Sequence, residues 1–247
     1  AVRYEQRYGF EIEARTRQLM DEARPLLEKL SPERVRHELD LILDEPNWFG
    51  MLTRLADLGL LTAIHADLSA PDTKFELPSE AEIAAYPVSS MLPPKRTLIW
   101  LLWLSPASPV TIRELSRSLR FPAALTKLLL AASALRADLP SLTDSKPSAW
   151  VERLEDVPEF AVYALSLASG GKTKRALQDY LEKWRHVKPY TTGHDLKQLG
   201  LPPGPKYQNI LDRLRAAWLD GEVTSEKEEI DLLRRVLPSA NFEESDS

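Results

Sequence analysis

The stretch EARTRQLMDEARPLLEKLSPERVRHELDLIL, Glu13 to Leu43, decides the fold class. Thr16, Leu19, Met20, Ala23, Leu26, Leu27 and Leu30 recur near the three-and-four spacing of one helix face. Pro25 must end or kink that helix, because it lacks an N–H and its ring clashes with the preceding turn. Ser31 followed by Pro32 reads as an N-cap with proline at the first helical position, opening a second helix with the stripe Val35, Leu39, Ile42 and Leu43. Working outward, a helix from about Trp48 to Leu58 is closed by Gly59, suited to a left-handed C-cap. Residues 66–96 are rich in Pro, Ser and Asp and form a candidate hinge, with one short helix expected at Ser79 to Ala85. LIWLLWL, Leu98 to Leu104, is far shorter than the roughly 20 residues that span a bilayer and reads as a buried helix. Thr111 and Glu114 have capping-box spacing, and Pro122 starts a helix to about Ala137. RADLPSLTDSKPS is a second loop. Helices are then expected at Ala149 to Arg153, Pro158 to Ala168, Lys172 to Trp184, Gly193 to Leu199 and Lys206 to Leu219. With no strand pattern and no repeat at a fixed period, the chain is all-α, with ten to twelve helices.

The 247 residues, 43% hydrophobic and 28% charged, suffice for one sizeable core or two modest lobes. The chain has no Cys, which removes disulfides, thiolate nucleophiles and thiolate metal sites and fits a reducing cytoplasm. A net charge of -5 argues against a protein that is basic throughout. From Lys172 to Arg215, however, ten Lys/Arg stand against four Asp/Glu. Much of the acid lies in the last segment, from Glu222 to the FEESDS end, whose polar and acidic composition predicts a frayed terminus.

Several motifs invite chemistry. SGGKT, Ser169 to Thr173, lacks the earlier Gly and the preceding strand of a phosphate loop, so it reads as a Gly-Gly helix stop before a basic helix start. His37, His65, His186 and His194 show no metal-ligand spacing, and Asp195 beside Gly193 suits a helix cap. DLKQLGLPPGPKYQNILDRLRAA, Asp195 to Ala217, has the shape of a helix-hairpin-helix: a short helix stops at Gly200, a Pro/Gly turn follows, and a longer helix carries Tyr207, Ile210, Leu211, Leu214 and Trp218. Such a turn sets backbone N–H groups beside Lys197 and Lys206, which suits a sugar-phosphate backbone; an ordinary helix corner fits equally well. In SPERVRHEL, Arg34 and Glu38 are four apart and can pair along a solvated face.

Three stretches in order, AVRYEQRYGFEIEARTRQLM, LSPERVRHELDLIL with PNWFGMLTRLADLGLL, and TGHDLKQLGLPPGPKYQNILDRLRAAWLDGEVTSEKEEI, resemble the C-terminal part of bacterial-type tRNA nucleotidyltransferases and their poly(A) polymerase relatives. The likeness is weakest from Ala66 to Lys188. It implies an all-α neck (1–65), helical body (66–165) and basic tail (166–247), a fragment without the α/β catalytic head. The paired metal-binding aspartates, and with them Mg2+ and ATP or CTP, would belong to that head, so the chain alone is expected to be inactive in nucleotidyl transfer. By the same resemblance Arg3, Glu33, Arg34 and Glu38 prop the nucleotide pocket. The partner is a tRNA acceptor arm or another RNA 3′ end, gripped by Lys172, Lys174, Arg175, Arg185, Lys188, Lys197 and Lys206; the missing head and a homodimer are further candidate partners, and a membrane is not. Double-helical RNA is read through backbone and shape, so scattered cations on a rigid frame suffice. Two other readings remain: a duplex-DNA module built on the hairpin, and a helical scaffold presenting Trp48, Phe49, or Trp100 and Trp103 to a protein partner.

Overall fold

The computed structural model describes residues 1–201 and 204–237. Among these residues there are fifteen α-helices, more than the ten to twelve expected, and, as the spacing predicts, no strand. In chain order they are α1 (Val2–Tyr8), α2 (Ala14–Ala23), α3 (Pro32–Leu43), α4 (Trp48–Asp57), α5 (Leu60–Ile64), α6 (Glu80–Ala84), α7 (Pro94–Leu104), α8 (Pro109–Ser118), α9 (Ala123–Leu142), α10 (Pro147–Leu154), α11 (Glu159–Ala168), α12 (Gly171–Glu182), α13 (Gly193–Gln198), α14 (Pro205–Leu219) and α15 (Glu226–Val236). Short 3-10 segments occupy Arg24–Lys29 and Trp184–His186. The chain divides into two compact units, residues 1–139 with 157–174 and residues 140–156 with 175–247. These units cut across the neck, body and tail segments that the resemblance implies.

In the first unit Pro25 acts as expected: α2 stops at Ala23 and the chain tightens into the 3-10 segment. The face expected to be buried on α2 is not, since no residue of that helix is buried and Leu19 stays exposed. Ser31 and Pro32 open α3, although the Ser31 hydroxyl makes no capping bond. Gly59 takes φ 64°, a left-handed conformation that costs glycine little, and turns the chain from α4 into α5. The apolar run Leu98 to Leu104 is wholly buried on α7, against α3 and α11. Trp100 stacks on Trp103 at 5.1 Å, meets Phe121 edge-on at 4.9 Å, and donates its indole N–H to Asp40 at 2.9 Å. Trp48, Trp100 and Trp103 are core residues, so they offer no surface to a protein partner, and Phe49 is half-buried.

Three helical boundaries differ from expectation. Helix α8 starts at Pro109 with Ser108 as its cap, so Thr111 and Glu114 are not a capping box; the Ser-Pro pair that opens α3 is used again. Helix α9 continues through Arg136 to Leu142 with Pro140 inside it, so the expected loop begins only afterwards. Burial of Leu135 and Leu139 holds that last turn despite the missing proline N–H. The acidic tail is ordered as α15, with Ser225 as its cap, three Glu in the first turn and Arg234 and Arg235 in the last, charges that suit the helix dipole. The rest of the segment expected to fray, from residue 238 onward, lies outside the described residues.

The second unit is built around Leu196, Ile210, Leu214, Ala217, Leu232 and Leu233, where α13, α14 and α15 meet. Its fastener is Glu229, 1% exposed. That carboxylate accepts the backbone N–H groups of Tyr190 (2.9 Å) and Thr191 (2.6 Å), the Thr191 hydroxyl (2.5 Å) and the Trp218 indole N–H. Burial works to raise the Glu229 carboxyl, but these donors outweigh it and hold it below the usual carboxylate range. Asp220 plays a lesser part, accepting the Ser148 N–H (2.9 Å) and hydroxyl (2.8 Å) in the first turn of α10.

Candidate nucleic-acid interface

The hairpin expected at Asp195 to Ala217 has its two helices in α13 and α14. Thr192 and Asp195 form a reciprocal capping box, with the Thr192 N–H donating to the Asp195 carboxylate at 2.7 Å. The Thr192 hydroxyl and amide hold the Asp195 carboxyl below its ordinary range. Asp195 is therefore the third helical residue of the cap, and Thr192 is the N-cap itself. The helix ends as Leu201 N–H returns to Leu196 carbonyl at 3.2 Å, past Gly200 at φ 79°. The Tyr207 hydroxyl then donates to the Leu201 carbonyl at 2.6 Å, tying α14 back to the end of α13. Pro202 and Pro203 of the turn lie outside the described residues. Lys197 in the last turn of α13 and Lys206 in the first turn of α14 are both exposed.

The cations of the basic stretch fall into two groups. Lys183 pairs with Asp179 at 2.8 Å, Arg213 with Glu222 at 2.7 Å and Arg215 with Glu155 at 2.5 Å. Arg215 also donates to the Val187 carbonyl at 3.0 Å. Of these only Arg215, the least exposed, ties separate segments, α14 to Glu155 and Val187; the other two pairs lie on the surface. The other seven are those expected to contact RNA. Lys172, Arg175, Lys188, Lys197 and Lys206 are exposed, and Lys174 and Arg185 are partly so. Arg185 donates to the His186 ring at 3.0 Å. Lys172 and Lys174 belong to the first unit, the other five to the second. The SGGKT segment reads as expected: α11 ends at Ala168, and Gly171, at φ 57°, opens α12 with Lys172 and Lys174 in its first turn.

The residues expected to prop a nucleotide pocket do not form one cluster. Arg3 on α1 faces Glu45 at 3.7 Å, beyond the C-terminal end of α3. Glu33 in the first turn of α3 pairs with Arg120 at 3.2 Å. Twelve residues of helix separate those ends by about 18 Å. Among the described residues no ion pair joins Arg34 to Glu38; instead both rim a cavity of about 220 Å³ floored by Leu30, Val35, Leu39, Leu55 and Ile64. The stronger tie in this region went unread in the sequence: Arg54 on α4 grips Glu5 on α1 with two bonds of 2.8 and 2.9 Å. Hydrogen bonding from Arg54 lowers the Glu5 carboxyl against the opposing effect of burial. Forty-nine positions separate the two, so no local spacing signals the pair. Among the described residues no group of His, Asp and Glu could hold a metal ion.

Residues 9–70 match a family model described as the probable RNA and SrmB-binding site of polymerase A. The A-adding tRNA nucleotidyltransferase of Geobacter sulfurreducens is 30% identical over 97% of the chain and 29% of its own length. Its counterpart in Halalkalibacterium halodurans is 24% identical over 94% of the chain and 54% of its own length. The chain is a region of the tRNA nucleotidyltransferase family. It spans less than two thirds of either relative. Its fold is also that of a solved member, the Thermotoga maritima CCA-adding enzyme complexed with tRNA, at a TM-score of 0.67 and 17% identity over 95% of the chain and 59% of the enzyme. Within this nucleotidyltransferase region the family model takes in Glu33, Arg34 and Glu38 on α3, whereas the seven basic residues lie beyond it.

Proposed function

We propose that this chain is the RNA-gripping part of an enzyme that adds A, or C and A, to tRNA 3′ ends without a template. The observation that carries the reading is the sorting of the basic stretch: Lys183, Arg213 and Arg215 have intramolecular carboxylates, while Lys188, Lys197 and Lys206 stand exposed on the same unit. A rigid helical frame with outward cations suits the phosphate backbone of an acceptor arm. On this reading residues 1–65 are the neck, 66–165 the body and 166–247 the tail. The catalytic head of the parent polypeptide supplies Mg2+ and the nucleotide, and nucleotidyl transfer requires it. The setting is the cytoplasm; no helix among the described residues is long and apolar enough to cross a membrane.

The test is tRNA binding by the chain across a salt series, with duplex DNA of equal length as competitor. Each phosphate contact steepens the log-log salt dependence by roughly 0.7 to 0.9. Lys197→Glu with Lys206→Glu is expected to weaken binding and flatten that slope by about two contacts while leaving the helical signal intact. Unchanged affinity in the folded double variant removes the hairpin from the interface, and preferential displacement by duplex DNA favours the DNA-binding reading instead.

A further inference from the structure

The first ten residues hold a feature that the tail does not explain. Tyr4 and Tyr8 are four apart on α1 and share one face. Gly9, at φ 68°, ends the helix in a left-handed turn, and the Phe10 N–H returns to the Glu5 carbonyl at 3.1 Å, which sets Phe10 beside Tyr8. The three rings form a ladder, with centroids 5.9 Å apart at 14° for Tyr4 and Tyr8 and 5.6 Å apart at 28° for Tyr8 and Phe10. They are 56%, 55% and 64% exposed, unusual for side chains that normally bury most of their surface.

The ladder is not a loose end. Val2 is buried, Glu5 is clamped by Arg54, Gln6 accepts from Asn47 at 3.1 Å, and Arg3 and Arg7 face Glu45 at 3.7 and 3.6 Å. These ties seat one side of α1 on the fold and leave the ring-bearing side in solvent, already ordered. Centroid separations near 6 Å mean that the rings are slid past one another, so part of each face stays open.

We infer that this ladder is a stacking platform for the unpaired nucleotides of an RNA 3′ end, an inference that rests on the RNA-binding reading. The chemistry is that of sequence-tolerant single-strand sites, where aromatic faces take successive bases and nearby cations take the phosphates between them. Cationic charge is at hand: the Arg3 and Arg7 guanidinium carbons lie 5.9 and 5.7 Å from the Tyr4 and Tyr8 ring centroids, and because the two share the single carboxylate of Glu45, one positive charge is left over for a phosphate. The family model described as a probable RNA-binding site begins at residue 9 and so includes Phe10, with the two tyrosines just before it. Gly9 is the positioning residue, because a side chain there would strain the turn that brings Phe10 beside Tyr8.

The experiment uses the full chain and three RNAs: a blunt hairpin, the same hairpin with a four-nucleotide 3′ overhang, and that overhang made abasic. The overhang is expected to tighten binding on the order of tenfold or more for each stacked base, and the abasic overhang is not. Tyr4→Ala with Tyr8→Ala and Phe10→Ala should erase the gain and leave the blunt-hairpin affinity unchanged; the triple Leu variant, which keeps apolar bulk, should do the same if the Ala variant fails to fold. Lys197→Glu with Lys206→Glu should weaken all three RNAs equally and preserve the ratio. A gain that survives the ladder variants, or an abasic overhang that binds as tightly, overturns the inference and leaves the RNA-gripping tail standing. Failure of the native chain to bind any of the three sinks both. Self-association abolished by the ladder substitutions, together with no overhang gain, assigns the rings to a second copy and overturns it too.

Discussion

Replacing Glu229 by Gln tests whether one buried carboxylate fastens the second unit. Two donors, the Thr191 N–H and hydroxyl, address one oxygen; the Tyr190 N–H and Trp218 indole N–H address the other. A glutamine amide keeps one oxygen and turns an NH2 toward two donors, so two bonds are lost whichever way it is placed. Hydrogen bonds to a charged group contribute about 1.5–3 kcal/mol each, giving a loss of roughly 3–6 kcal/mol before relaxation. Against the 5–15 kcal/mol that holds a typical domain, about 3 kcal/mol as a floor is large. Hydrogen exchange read over residues 187–237 is the direct assay: at about 1.4 kcal/mol per tenfold, that floor speeds exchange in α13, α14 and α15 about 150-fold. The pH dependence has a definite sign. The folded Glu229 carboxyl is held below its ordinary value, so its stabilisation is fully present above the unfolded pKa of about 4.3 and is lost as pH falls through the folded value. The native second unit should therefore loosen in acid, and Glu229→Gln should flatten that dependence. A variant within about 0.5 kcal/mol of native, the range of ordinary surface changes, would refute the argument.

Glu5→Gln breaks the two-bond grip of Arg54 on α1 in a half-buried setting and should cost about 1–3 kcal/mol in denaturant unfolding; because α1 carries the aromatic ladder, the same change should also reduce the overhang gain. Trp100→Phe removes the indole N–H from Asp40 and shrinks a side chain that is 1% exposed, for an expected loss of about 2–4 kcal/mol of stability, read as a lowered thermal midpoint of the first unit. A midpoint unchanged by Trp100→Phe would mean that the stack of Trp100, Trp103 and Phe121 relaxes into the space.

The helices were legible wherever a local device sets them. Ser31-Pro32 opens α3, Gly59 closes the α4 turn and the Leu98 to Leu104 run is buried, each as its chemistry requires. The errors arose where two local signals competed. Pro140 argued for a loop, yet Leu135 and Leu139 are buried and carry α9 past it. The net acidity after Glu222 argued for disorder, although Ile230, Leu233 and Leu237 keep helical spacing and Ser225 stands ready as a cap. Composition averaged over the segment hid a charge order, acidic at the start and basic at the end, that favours a helix. The ties that position the candidate site lay beyond any local reading. Glu5 with Arg54, Asp40 with Trp100 and Glu229 with Thr191 join residues 38 to 60 positions apart, and only the packing of helices brings them together.

The same ties explain how an acidic chain can serve a polyanion. Asp40 and Asp44 sit against Arg96, Glu45 against Arg3 and Arg7, Glu155 against Arg215, and Asp195 and Glu229 accept amide and hydroxyl protons. A carboxylate held this way is neutralised within a few ångströms, and at physiological salt, where the screening length is about 8 Å, a phosphate responds to the charges nearest it rather than to the total. Near Lys188, Lys197 and Lys206 those charges are cations on the surface of a packed three-helix core. If that local sign governs binding, adding acid far from the hairpin should leave RNA affinity almost unchanged, whereas releasing one tied carboxylate beside it, as Arg213→Ala would do to Glu222, should weaken it. Net charge predicts weaker binding wherever acid is added, the local field only where it is added beside those cations, and the geometry supports the local field.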